Sequence, residues 1–72
     1  SEESVYLLFI NLLKERLTPE RRLGRLKQFT HYYSKNFSFG HRFAYDIQCS
    51  SSIEEAEMVA RNFFGGLQEN LT

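Results

Sequence analysis

"RFAYDIQC", residues 42–49, decides the fold class of this chain. Phe43, Tyr45, Ile47 and Cys49 alternate with Arg42, Ala44, Asp46 and Gln48, the two-residue period of a strand with one buried face. On that reading the first four residues line a core, while Arg42 and Gln48 face water. A strand needs partners for its backbone N–H and C=O groups. Residues 36–39 can supply them through a hairpin around Gly40, setting Phe39 against Phe43 and Phe37 against Tyr45. A second copy of the chain can supply them too. Only Ile47 is β-branched in the stretch, so a short helix over 41–49 is the other reading. The expectation is an α+β domain of order helix–helix–β–helix, with an all-α domain of four short helices as the alternative.

Upstream, Thr18-Pro19-Glu20 is a helix start. Thr18 suits the cap, Pro19 the first helical position, and Glu20 the positive end of the helix dipole. The helix runs over 19–35, with Leu23, Leu26, Thr30, Tyr33 and Phe37 facing inward, joined by Phe29. Residues 2–17 form the preceding helix, whose apolar residues Val5, Tyr6, Leu8, Phe9, Ile10, Leu12, Leu13 and Leu17 cover a wide arc. A 72-residue chain has few elements to surround such a helix, and self-association, as a homodimer, satisfies it most economically.

Downstream, Ser52-Ile53-Glu54-Glu55 fits a capping box, with Glu55 three residues after the Ser52 cap. Ile53, Ala56, Val59, Ala60, Phe63 and Phe64 share one face of the helix that follows. Gly65 and Gly66 are expected to end it, leaving 66–72 as a loose tail.

The length bounds the chain at one compact domain over 1–72, close to the smallest core that folds without a staple. Seven Phe and four Tyr give that core large buried areas. Cys49, the single cysteine, cannot form an internal disulfide, which suits a reducing, cytoplasmic compartment. The apolar run from Val5 to Leu13 follows Glu2 and Glu3 rather than a basic segment and is too short to span a membrane, so neither a signal peptide nor membrane association is expected.

Charge is more informative. Formal net charge is +0, yet residues 14–42 carry eight cations and two anions. Five of the nine Lys and Arg residues fall within 18–35. On a helical wheel Arg21, Arg25, Gln28, Tyr32 and Lys35 occupy about 80° of arc, opposite Leu26 and Tyr33. A charged outer face is ordinary for a surface helix. Its position is not: Arg21, Arg22 and Arg25 sit in the first two turns, where a cation is disfavoured by roughly 0.3–1 kcal/mol. An acidic group should therefore face them, either Glu54, Glu55 and Glu57 at the start of the last helix or a separate partner.

Nothing in the chain points to catalysis or a cofactor. Cys49 with His31 or His41 lacks an acidic orienter and an oxyanion loop for nucleophilic chemistry, and the three lack metal-ligand spacing. Tyr6, Phe29, Tyr32 and Met58 lie at the edges of the apolar faces, and Tyr, Met and Arg are enriched at interfaces. The functional expectation is a non-enzymatic regulatory or adaptor protein. It binds an acidic surface on another protein through Arg21, Arg25, Gln28, Tyr32 and Lys35. The alternative is a small nucleic-acid-binding regulator using the same face, against which the zero net charge counts. A structural subunit assembled through the first helix is a third class.

Overall fold

Residues Gly40–Gln48 form a helix and not a strand, as the computed structural model of the chain shows. The structure describes the backbone of residues 2–71 and the side chains of residues 2–66. Among the described residues there is no strand; the α+β expectation is corrected and the four-helix alternative holds. The helices are α1 (Glu2–Arg16), α2 (Pro19–Tyr33), α3 (Gly40–Gln48) and α4 (Ile53–Leu71), with a 3-10 turn at Ser34–Asn36 after α2.

The physical reason lies in which residues of 42–49 the core accepts. Gly40, Phe43 and Ile47 are buried, at the helical spacing i, i+3, i+7. Phe43 stacks on Phe63 of α4, centroids 4.4 Å apart and planes 4° from parallel. Tyr45 and Cys49, expected on the same buried face, are exposed. A helix also satisfies its own backbone, ending with Cys49 N–H donating to Tyr45 O at 3.0 Å, so no second strand is needed.

Helices α1 and α3 each pack on α2 and α4. The buried residues form one core, fed by Tyr6, Ile10 and Leu13 of α1, Leu26 of α2, Phe43 and Ile47 of α3, and Ile53, Ala56, Ala60 and Phe64 of α4. Leu23, Phe29 and Tyr33 of α2 and Val59 and Phe63 of α4 pack against it, as helical spacing predicts, and Phe37 joins them from an extended position after the 3-10 turn rather than from α2. Eight of the eleven aromatic rings join one network running Phe9–Phe29–Tyr6 and on through Tyr33, Phe37, Phe43, Phe63 and Phe64. Tyr6 is its hub. Expected at an edge, it is fully buried, because Thr30 meets its hydroxyl at 2.5 Å. The Thr30 hydroxyl donates onward to Leu26 O at 2.7 Å, so Tyr6 is the donor to Thr30. Phe29, also expected at an edge, is half-buried and stacks on Phe9 at 4.1 Å.

Three junctions fix the path. Between α1 and α2, Thr18 occupies the cap position with Pro19 following, although the Thr18 side chain makes no cap hydrogen bond. Arg22 reaches back instead, its Nε donating to Leu17 O at 2.9 Å and its Nη2 to Lys14 O at 2.8 Å. It thereby satisfies carbonyls that the end of α1 leaves open. Between α2 and α3, Gly40 rests on the 3-10 turn so closely that a Cβ there would lie 1.8 Å from Ser34 O. Before α4, Ser52 Oγ accepts from Glu55 N–H at 3.1 Å, while Glu55 Oε2 accepts from Ser51 N–H at 3.4 Å. The reciprocal bond of the expected capping box thus lands one residue earlier.

The stop expected at Gly65 and Gly66 does not occur. Neither glycine has positive φ, and α4 continues to Leu71. The loose tail expected over 66–72 concerns side chains from Leu67 onward, and Thr72, which lie outside the described residues.

Candidate docking surface

Arg21, Arg25, Gln28 and Tyr32 all project from the exposed side of α2, and Lys35 follows in the 3-10 turn. The turn does not break the stripe: Lys35 Nζ lies 5.5 Å from the Tyr32 ring centroid, within cation–π range. At 1.5 Å per residue, the helical part from Arg21 to Tyr32 extends about 16 Å. Tyr32 is 66% exposed, and His31 packs edge-on against it at 5.1 Å. Helical spacing brings the first four to one surface, and the 3-10 turn carries Lys35 onto it.

Three other cations have partners within the fold. Arg22 is committed to the end of α1. Lys14 pairs with Glu57 across α1 and α4. Arg42 pairs with Asp46 at 3.5 Å one turn along α3. Among the described residues Arg21, Arg25 and Lys35 enter no ion pair. Of the acidic start of α4, expected to face the stripe, Glu57 meets Lys14 and Glu55 accepts from Ser51 N–H, while Glu54 lines a hollow shared with Pro19, Glu20 and Arg22 at the start of α2. Glu20, at the start of α2, turns on its own surroundings: hydrogen bonds from its own backbone N–H and from Thr18 hold its carboxyl below the usual value.

Two hollows flank the stripe. Beside its first half, Arg25 and Arg16 border an apolar hollow of about 500 Å³ floored by Phe9, Leu12, Leu13 and Leu17. Next to it α1 leaves Val5, Leu8 and Leu12 exposed, the part of its wide apolar arc that the fold does not cover. At the far end, Lys35 borders a second hollow of about 510 Å³ together with His31, Phe37, Phe39 and His41. The stripe is a run of fixed positive charge with an apolar recess beside its first half and a recess of mixed aromatic and basic lining at its far end.

Sequence reasoning missed Phe39, whose ring is 70% exposed. The strand reading pairs it with Phe43 in a core. A large aromatic beside Gly40 in a tight turn is the signal available, and the hairpin absorbs it. Of the edge residues expected at a surface, Tyr32 and Met58 are exposed, while Tyr6 and Phe29 are not. Tyr45 lies on the exposed side of α3, and its side-chain hydrogen bond to Cys49, with the negative charge of Asp46 nearby, raises its pKa. Tyr33, behind the stripe, is pushed to about 12 by burial first and by its bond to Glu2 second; its hydroxyl donates to Glu2 Oε2 at 2.7 Å.

The chemistry available on this surface is charge pairing, stacking and apolar contact. His31 and His41 share a hollow that Cys49 does not line. Among the described residues no three His, Cys, Asp or Glu side chains group where a metal ion could sit. No helix of the described chain is long and apolar enough to cross a membrane. Comparison with models of protein families, with curated proteins and with solved structures gave no match to this chain.

Proposed function

We propose that this chain is a non-enzymatic adaptor or regulatory protein that binds an acidic surface of another protein through the exposed side of α2. Arg21, Arg25 and Lys35 supply charge, and Gln28 and Tyr32 supply hydrogen bonding and packing between them. One observation carries the reading. Arg21, Arg25 and Lys35 share one exposed stripe and, like Arg16, Lys27 and Arg61, enter no ion pair among the described residues, whereas Lys14, Arg42 and Arg22 are engaged at Glu57, Asp46 and the end of α1. Arg21 and Arg25 also stand near the positive end of the α2 dipole, where stability favours a carboxylate. An acidic partner reverses that penalty.

The protein acts as a homodimer. With α3 helical, self-association no longer has an unpaired strand to explain; it rests on the exposed row of Val5, Leu8 and Leu12 along α1, an apolar row of the kind that interfaces cover. The exposed thiol of Cys49 suits the cytoplasm, where thiols stay reduced.

The test is capture of partners from native extract on the immobilised chain, with and without nuclease. Proteins retained after nuclease treatment, and released by moderate salt, are the expected result. Loss of all binding on nuclease treatment replaces the protein partner with nucleic acid. In that case the affinity should fall with salt at a logarithmic slope of about −0.9 per duplex phosphate contacted.

A further inference from the structure

Phe39 is the only non-glycine residue among those described with a left-handed backbone, at φ 63° and ψ 15°. It occupies the third position of a turn closed by Gly40 N–H donating to Phe37 O at 3.1 Å, where glycine or asparagine is the usual occupant. Gly40, which closes the turn, is seated so close to Ser34 that a Cβ there would clash. A bulky side chain at such a position is strained, and its ring gains little in return, being 70% exposed. The fold asks for glycine here, and the chain carries phenylalanine. Strained positions that the surrounding structure enforces concentrate at ligand clamps.

The surroundings specify the ligand. The ring forms one wall of the hollow bordered by Lys35, His31 and His41, and no carboxylate lines that hollow. Phe37 supplies its apolar floor, held edge-on against Phe63 and Phe64 of the core, so the recess is rigid on one side. We propose that Phe39 is the anchor of a docking pocket for an acidic segment of the partner protein. The segment places one large apolar side chain against the Phe39 and Phe37 rings and its flanking carboxylates beside Lys35 and the two histidines. This rests on the proposed function, and it extends the binding surface past the end of α2 to the turn before α3. A stacking ring beside cations also suits single-stranded nucleic acid. The acidic protein segment is favoured because the hollow has an apolar floor as well as a ring, and because the chain as a whole carries no net positive charge.

The experiment uses a random dodecapeptide library selected on the full chain, followed by affinity measurements on the enriched peptides. They are measured against the wild type, Phe39→Gly, Phe39→Leu and the Arg21→Glu/Arg25→Glu pair. Phe39→Gly suits the left-handed backbone, and circular dichroism with thermal melting verifies that it stays folded. The expected peptides carry several Asp or Glu residues around a single Leu, Phe or Trp. Their affinity should fall roughly thirtyfold in Phe39→Gly, as for an anchor residue, and less in Phe39→Leu. Peptides that bind folded Phe39→Gly as tightly as wild type overturn the anchor. If those same peptides lose affinity in the Arg21→Glu/Arg25→Glu pair, the stripe on α2 stands without it. Enrichment of peptides lacking acidic residues, or tighter Phe39-dependent binding of oligothymidine than of any acidic peptide, overturns both.

Discussion

The bond between Tyr6 and Thr30 joins α1 to α2 inside the core, and its two ends are unequal. Tyr6 is 0% and Thr30 1% exposed. Thr30 Oγ1 accepts from Tyr6 and donates to Leu26 O, whereas the Tyr6 hydroxyl has Thr30 as its partner. Tyr6→Phe therefore removes one bond and leaves Thr30 still donating; the cost should be that of a net hydrogen bond, about 0.5–1.5 kcal/mol. Thr30→Val is close in shape but strands the buried Tyr6 hydroxyl, which costs about 1–3 kcal/mol. In the double variant nothing is stranded, so its loss should fall short of the sum of the single losses by about 1 kcal/mol or more. Urea unfolding of the four proteins, monitored by circular dichroism, measures the cycle. Thermal melts should agree, since 1 kcal/mol moves Tm by about 4–8 °C in a domain of this size. Losses that add to within about 0.3 kcal/mol, or a Thr30→Val loss smaller than that of Tyr6→Phe, would refute the assignment of donor and acceptor and with it the packing of α1 on α2.

Glycine should rank in opposite orders at two positions. Gly24 is exposed in α2, and a Cβ added there would meet nothing within 4 Å, so Gly24→Ala should stabilise by about 0.5–1 kcal/mol. At the left-handed residue 39, Phe39→Gly should instead be more stable than Phe39→Ala by about 1 kcal/mol; equal melting of that pair would remove the strain at Phe39. Burial pushes the Tyr6 hydroxyl from 10.0 to about 12. A raised folded-state value means stability that is whole below pH 10 and lost as pH rises through about 12, on the order of 2–3 kcal/mol. Unfolding free energies measured between pH 9 and 12 should show that fall, and it should be shallower in Tyr6→Phe. Sedimentation equilibrium at micromolar concentration should give a mass above the 8.5 kDa of one chain, returning to it in Leu8→Glu; a wild type at 8.5 kDa throughout removes the dimer.

What the sequence made legible was local. Thr18 with Pro19, and Ser52 with Glu55, mark helix starts because the groups they serve lie within one turn. The inward faces of α2 and α4 were legible because a 3.6-residue period repeated over several turns has no other reading. Residues 42–49 were too short for that. Phe43 and Ile47, four apart, satisfy a two-residue period as well as a helical one, and the deciding fact, Phe43 stacked on Phe63, lies twenty residues away. The scarcity of β-branched residues there was a helix signal that the alternation outweighed. Tyr6 looked like an edge residue because its hydroxyl partner, Thr30, belongs to another helix. Arg22 looked like part of the basic surface for the same reason, its partners being carbonyls at the end of α1. Gly65 and Gly66 read as a stop, yet glycine within a helix costs only about 1 kcal/mol, and both keep helical backbones. The stripe itself was legible as a surface, since four of its five positions need only the helix to be correct and the 3-10 turn keeps Lys35 beside Tyr32. The strain at Phe39 was not, because it is a backbone conformation of the turn before α3 and leaves no residue pattern.

The most direct measurement is partner binding by the triple variant Arg21→Glu/Arg25→Glu/Lys35→Glu. All three side chains are exposed, so far-UV circular dichroism should match the wild type. Melting should be unchanged or slightly higher, because cations leave the positive end of α2. Binding of the proteins captured by the wild type after nuclease treatment should be abolished. A folded triple variant that retains those proteins at wild-type affinity would contradict the account and leave the stripe as solvated surface.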